Sequence, residues 1–176
     1  MNHSKLKCPR KLTFRLRRAL RSEEGSNLTE TAIGMMVFLA AFFGIIQCSF
    51  AIYSYNWVSE AAREGTRWAM VRGANCYNDL GSTFCTSGGA TSDQISSYVQ
   101  GLAYPGLNKS NITVNTNWYT PSTSTPRTWS LCTTSPCNQP GYQVQVLVNY
   151  QFPMGIPFWK KVTLNMQGTS EMVITQ

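Results

Sequence analysis

A chain of 176 residues suffices for one modest globular domain plus an appended segment. Its formal charge of +7 would suit a nucleic-acid partner, but the charge is confined to one end. Residues 1–25 hold eight Lys/Arg against Glu23 and Glu24, a net +6, whereas residues 26–176 hold seven against six Asp/Glu, a net +1. A nucleic-acid domain needs its basic residues on the folded part, interleaved with aromatics, so nucleic acid is not an expected partner.

The first element is that basic leader, Lys5 to Arg21. The second is apolar: no charged residue lies between Glu30 and Glu60. Thr31 to Tyr53 as a helix would be about 34 Å long, enough to cross a hydrocarbon layer of about 30 Å. Tyr53, Tyr55 and Trp57 then stand where an interfacial aromatic belt would. The positive-inside rule predicts a cytoplasmic N-terminus and an exported C-terminal part.

The junction, GSNLTE at residues 25–30, admits several readings. A cleaved secretory signal would use Ser49-Phe50-Ala51 as its small-x-small site, but the stretch before its apolar core is long and ends in three glutamates. A lipoprotein signal would use Cys48, which follows bulky Gln47. A plain signal anchor makes Glu30 a helix cap, with Asn27 at the N-cap and Glu30 reaching back to its N–H. A fourth reading accounts for Gly25 as well. A glycine, a glutamate five residues on and an apolar helix resemble the leader of type IV pilin-like proteins. The resemblance implies cleavage after Gly25 by a prepilin peptidase, a new N-terminus at Ser26, and Glu30 as the fifth mature residue. Glu24 and Thr31 stand where relatives often have a basic and an aromatic residue. A lone charge at bilayer depth costs at least about 2.5–3.5 kcal/mol, so a carboxylate there calls for a partner such as the new ammonium.

Residues 53–73, YSYNWVSEAAREGTRWAMVRG, continue as an amphipathic helix with Gly73 as its C-cap. Trp57, Ala61 and Trp68 share one face, with Val58, Ala62 and Ala69 beside it. Glu60 with Arg63, and Glu64 with Arg67, make i,i+3 pairs on the other side. Together with the junction, Ala61-Ala62-Arg63-Glu64-Gly65 resembles the TadE-like family, pseudopilins of the tight-adherence (Tad/Flp) pilus assembly system. The resemblance covers roughly residues 21–73. It implies a minor pilin-like protein of a bacterial inner membrane, single-pass, with its C-terminal domain extracytoplasmic. Its implied partners are other pilins or pseudopilins, the Tad assembly machinery, the prepilin peptidase and membrane lipid, with homo- or hetero-oligomers.

The exported part, residues 74–176, is rich in Gly, Ser, Thr and Asn. Residues 74–91 read as a loop, and Ser92 to Ala103 as a short helix with Ser92 or Asp93 at its N-cap. Asn111 to Tyr119 alternates like a strand, residues 120–140 form a surface loop, and Tyr142 to Phe152 is a strand with Val144, Val146 and Val148 on one face. Phe158 to Ile174 supplies one long strand, or two broken near Gly168. Three or four antiparallel strands against a helix make an α+β fold on a long N-terminal helix. The segments divide as leader (1–25), anchor and amphipathic helix (26–73) and exported domain (74–176). Cys76, Cys85, Cys132 and Cys137 lie in an oxidising compartment and allow three connectivities, of which the local pairing Cys76–Cys85 with Cys132–Cys137 is favoured. Each such loop closure contributes about 2–3 kcal/mol on the chain-entropy account. Cys8 reads as a reduced cytosolic thiol and Cys48 as a small apolar residue of the span.

The one histidine, His3, is in the leader, and the exported acids include only two aspartates, Asp79 and Asp93. Exported Ser and Cys side chains therefore lack a base, and no phosphate loop or zinc spacing occurs. Neither enzyme activity nor a cofactor or metal is expected. A signal-anchored or secreted envelope adhesin is the alternative to a pilus-system component, and the mature N-terminus separates the two.

Overall fold

Residues Glu23–Met70 form one α-helix of 48 residues, α1, in a computed structural model that describes residues 23–155 and 160–175. The segment contains no proline, so the intrahelical hydrogen-bond ladder runs through it without a break. The chain divides into two units at Ile45/Ile46. The second contains the rest of α1 and everything that follows.

Helix α1 ends at Met70, and Arg72 N–H closes the last turn on the Ala69 carbonyl at 3.1 Å. Gly73, expected as a left-handed cap, is instead a buried residue whose carbonyl accepts from Cys76 N–H at 3.1 Å. The segment expected as a loop then holds a short helix, α2, Cys76–Leu80. Helix α3 spans Ser92–Gly101. Its N-cap is Thr91, one residue ahead of the expected position, in a reciprocal capping box. Gln94 N–H donates to Thr91 Oγ1 at 3.4 Å, and Thr91 N–H donates to Gln94 Oε1 at 3.2 Å.

Four antiparallel strands follow: β1 (Ile112–Pro121), β2 (Trp129–Leu131), β3 (Gln143–Met154) and β4 (Val162–Val173), in spatial order β2-β1-β3-β4. The architecture is α+β, as the sequence patterns imply. Strand β2 lies in the stretch expected as a loop, where Trp129 pairs with Pro121 and Leu131 with Tyr119. Gly168 does not break the last strand; it sits opposite Val148 inside a continuous ladder.

Strand β3 shows the period of 2 that organises the sheet. Val144, Val146 and Val148 are fully buried and Tyr150 and Phe152 nearly so. The alternate residues point to the polar outer face, where Gln145 Oε1 accepts from Asn117 and from the Tyr119 hydroxyl, both at 3.1 Å. Burying each valine contributes about 1.5–3 kcal/mol, so this row and the helices over it dominate the core. Val58, Ala61, Ala62 and Ala69 of α1, with Ile95 and Val99 of α3, belong to the same cluster.

Candidate functional site: the anchor segment and the helix–sheet seam

In the first unit, α1 presents its apolar side chains outward. Ile33, Val37, Phe38 and Phe42 are all at least half exposed, and the most apolar stretch of the helix is only 6% buried. A core helix of a globular domain would be largely covered. This helix is long and apolar enough to cross a membrane.

Gly25, Ser26 and Glu30 all lie inside α1 and are exposed. Because the helix includes Glu23, Asn27 is an interior residue rather than the N-cap. That interior position removes the expected capping box with Glu30, and the Asn27 carbonyl accepts from the Thr31 hydroxyl at 2.8 Å. The Thr29 hydroxyl lies 2.8 Å from the Ser26 carbonyl and 3.2 Å from that of Gly25, back-bonding across the two residues that flank the expected cleavage point. The basic leader and its Cys8 lie outside the described residues.

In the second unit, the Ala61–Gly65 stretch has a clear division of labour. Ala61, Ala62 and Gly65, with Thr66 after them, are buried, while Arg63 and Glu64 point away. The charged pair residues lock along the outer side, Arg63 to Glu60 at 3.5 Å and Arg67 to Glu64 at 2.8 Å. The small residues let the helix approach the sheet closely. A Cβ on Gly65 would lie 2.7 Å from Val99 Cγ2 and 3.3 Å from Val146 Cγ1. From the sheet side, a Cβ on Gly168 would lie 2.7 Å from the Val58 carbonyl oxygen. Thr66 Oγ1 is 2.7 Å from the Ala62 carbonyl and 3.3 Å from that of Ser170, joining α1 to β4.

Where α1 enters this unit, an aromatic group gathers around Tyr104, which meets Tyr53 at 4.4 Å and Trp57 at 6.4 Å between ring centroids. Trp57 also meets Tyr150 at 6.4 Å, and its indole N–H donates to the Leu102 carbonyl at 3.2 Å. The buried Ser54 hydroxyl lies 3.2 Å from that of Tyr104. Burial pushes the Tyr150 phenol above its ordinary value of 10.0; nearby Tyr104 adds to this, and a backbone hydrogen bond at Asn108 works against it.

Disulfides join Cys76 to Cys85 and Cys132 to Cys137, with Cα atoms 5.8 and 5.7 Å apart. The first closes the segment that begins with α2, and the second closes a loop with no regular element. Cys48 is free and exposed. Among the described residues no group of three or more His, Cys, Asp or Glu side chains is placed to hold a metal ion.

Two contacts escaped sequence reasoning. Trp68 stacks on Tyr98 at 5.2 Å while the Arg72 guanidinium lies 4.3 Å over the ring, and no local pattern links residue 98 to residue 68. The approach of Val58 to Gly168 is the other: a glycine inside a strand can mark close backbone approach or a bend, and nothing local says which element comes near.

These features define a class: a small disulfide-bearing α+β domain whose longest helix runs on as an exposed apolar anchor. Residues 25–67 match the family model for TadE-like protein, a span that runs from Gly25 to Arg67 on the outer side of α1. The match thus covers the anchor and the face that docks on the sheet, and leaves the sheet itself outside. No curated protein and no solved structure matches the chain.

Proposed function

We propose that the protein is a minor pilin-like component, a pseudopilin, of a bacterial Tad/Flp-type pilus assembly and adhesion system. The observation that carries this is the TadE-like match over residues 25–67, because it coincides with the two parts of α1 that have distinct tasks. Residues 1–25 act as a leader removed by a prepilin peptidase, residues 26–73 anchor the chain in the inner membrane, and residues 74–176 form the extracytoplasmic domain. The role is structural rather than catalytic. Its partners are other pilins or pseudopilins and the assembly machinery.

The helical state of this region bears on the pairing that cleavage would create, because Gly25, Ser26 and Glu30 lie on one continuous helix. Cleavage leaves an ammonium at Ser26, and Glu30, four residues on, falls on the same helix face within about 6 Å along the axis. A membrane-embedded carboxylate thereby gains a cation, on its own chain or a neighbour's.

The test is the mature N-terminus after expression alongside the peptidase. Edman or mass analysis should give Ser26, and a bulky residue at Gly25 should block processing. Retention of Met1 would overturn the reading. A chain beginning at Ile52 would make it a secreted envelope protein instead.

A further inference from the structure

The cations of the second unit are not evenly placed. Arg63 and Arg67 are held in ion pairs with Glu60 and Glu64, and Arg72 lies over Trp68. Four cations remain, Lys109, Arg127, Lys160 and Lys161, all exposed, and among the described residues none has a carboxylate within 4.0 Å. The three lysines fall at one end of the sheet, and Arg127 lies in the loop between β1 and β2 at the other. Lys109 opens the short 3-10 helix ahead of β1, whose first residue Ile112 pairs with Tyr150. Lys160 and Lys161 precede Val162, which pairs with Met154 at the same end of the ladder.

That end is also where α1 enters the unit. Phe50, Tyr104, Pro105, Tyr150, Phe152 and Pro153 line a cleft of about 290 Å³ there. The unpaired acids lie elsewhere. Glu171 faces Gln145 at the opposite end of the β3–β4 ladder, Asp93 starts α3, whose other end meets Trp57 through Leu102, and Asp79 follows the far end of α1. The unit therefore has a basic, aromatic-lined end where α1 enters, while the acids away from it are interspersed with Arg127.

We propose that this end is a docking surface for the headgroup layer of an anionic bilayer, with the lysines on lipid phosphates and an acyl segment or glycerol backbone in the aromatic cleft. Charge complementarity and continuity with the apolar helix single out lipid over a protein partner. A protein surface would need acidic groups matched to three lysines at the depth where the anchor leaves the membrane, whereas an anionic leaflet presents phosphates there already. Tyrosine and tryptophan rings also prefer that layer. The inference rests on the membrane-anchor part of the proposed function, and not on pilus assembly.

The full chain can be reconstituted in vesicles of phosphatidylcholine, alone or with added phosphatidylglycerol. Labelling of Lys109, Lys160 and Lys161 by a soluble amine-acylating reagent is then followed by mass spectrometry. A lysine held at an anionic surface is favoured by about fivefold. Labelling of these lysines should therefore slow by about that factor with phosphatidylglycerol, and recover at about 1 M salt, where screening acts within about 3 Å. Charge reversal by Lys160→Glu with Lys161→Glu should restore Lys109 labelling in the anionic vesicles. Equal labelling in both lipids, with the chain floating with the vesicles, would overturn the docking surface and leave the anchor intact. A chain that floats with neither vesicle would overturn both.

Discussion

A single methyl group measures how tightly α1 lies on the sheet. In Gly168→Ala the new Cβ would meet backbone atoms, the Val58 oxygen at 2.7 Å and its carbonyl carbon at 2.9 Å, with Ser59 Cα at 3.0 Å. Backbone inside a helix cannot turn aside, so helix and strand must separate, at a cost of about 2–3 kcal/mol. In Gly65→Ala the nearest atom is Val99 Cγ2 at 2.7 Å, a side-chain atom that can change rotamer. Replacing a helical glycine also regains about 1 kcal/mol, so the net loss should be about 1 kcal/mol or less. Gly34→Ala, with nothing within 4 Å, is the control and should be neutral or slightly stabilising. Denaturant midpoints in a constant detergent should rank the variants in that order, and a Gly168→Ala midpoint equal to that of Gly34→Ala would refute the close seam. The sequence pointed to Gly65 only through its motif. The constraint on Gly168 comes from a helix more than a hundred residues away in the chain, which strand periodicity does not encode.

At the scale of elements, what was legible followed from local pattern. Strand β3 announces itself through alternating valines, and α3 through its amphipathic spacing. Strand β2 is three residues long within a Ser/Thr/Pro-rich stretch, and exists through pairing with β1 and through Cys132 N–H donating to the Trp118 carbonyl at 2.8 Å. No short window contains that information. The start of α1 was misplaced for a related reason: Asn27 and Glu30 fit a capping box, yet the helix is already formed at Glu23. This sharpens the test of Glu30. An interior helical carboxylate contributes no cap to its own helix, so Glu30→Gln should leave helix stability nearly unchanged. Under the proposed function it should abolish or sharply reduce crosslinks to pilus components in membranes at equal expression. Unchanged crosslinks would leave the Ser26 ammonium without its proposed partner.

For the molecule as a whole, Tyr150 is a convenient reporter, because it joins β3 to the ring of Trp57 on α1. Its phenol is raised in the folded state, so the unfolded chain ionises first, near the ordinary value of 10.0. The stability this confers is fully present below that pH and is lost as pH rises through the higher folded value. Alkaline unfolding should therefore show a component absent from Tyr150→Phe, and superimposable pH profiles would contradict it. The fold class and the apolar anchor were readable from composition and spacing, and the segment matched by the family model through the resemblance of its motifs. The gathering of three lysines at one end was not, since it depends on strand register.

The contacts along the seam also carry a direction. Val58 meets Gly168, Thr66 meets Ser170, and Met70 accepts from Thr175 N–H at 3.2 Å, so residue numbers rise together in α1 and along β4. Helix and strand thus run side by side in the same sense. Tension drawn along the axis of α1 is borne in shear, with the whole row of contacts loaded at once rather than unzipped from one end. A protein pulled by its anchor would yield late and abruptly, as a lap joint does.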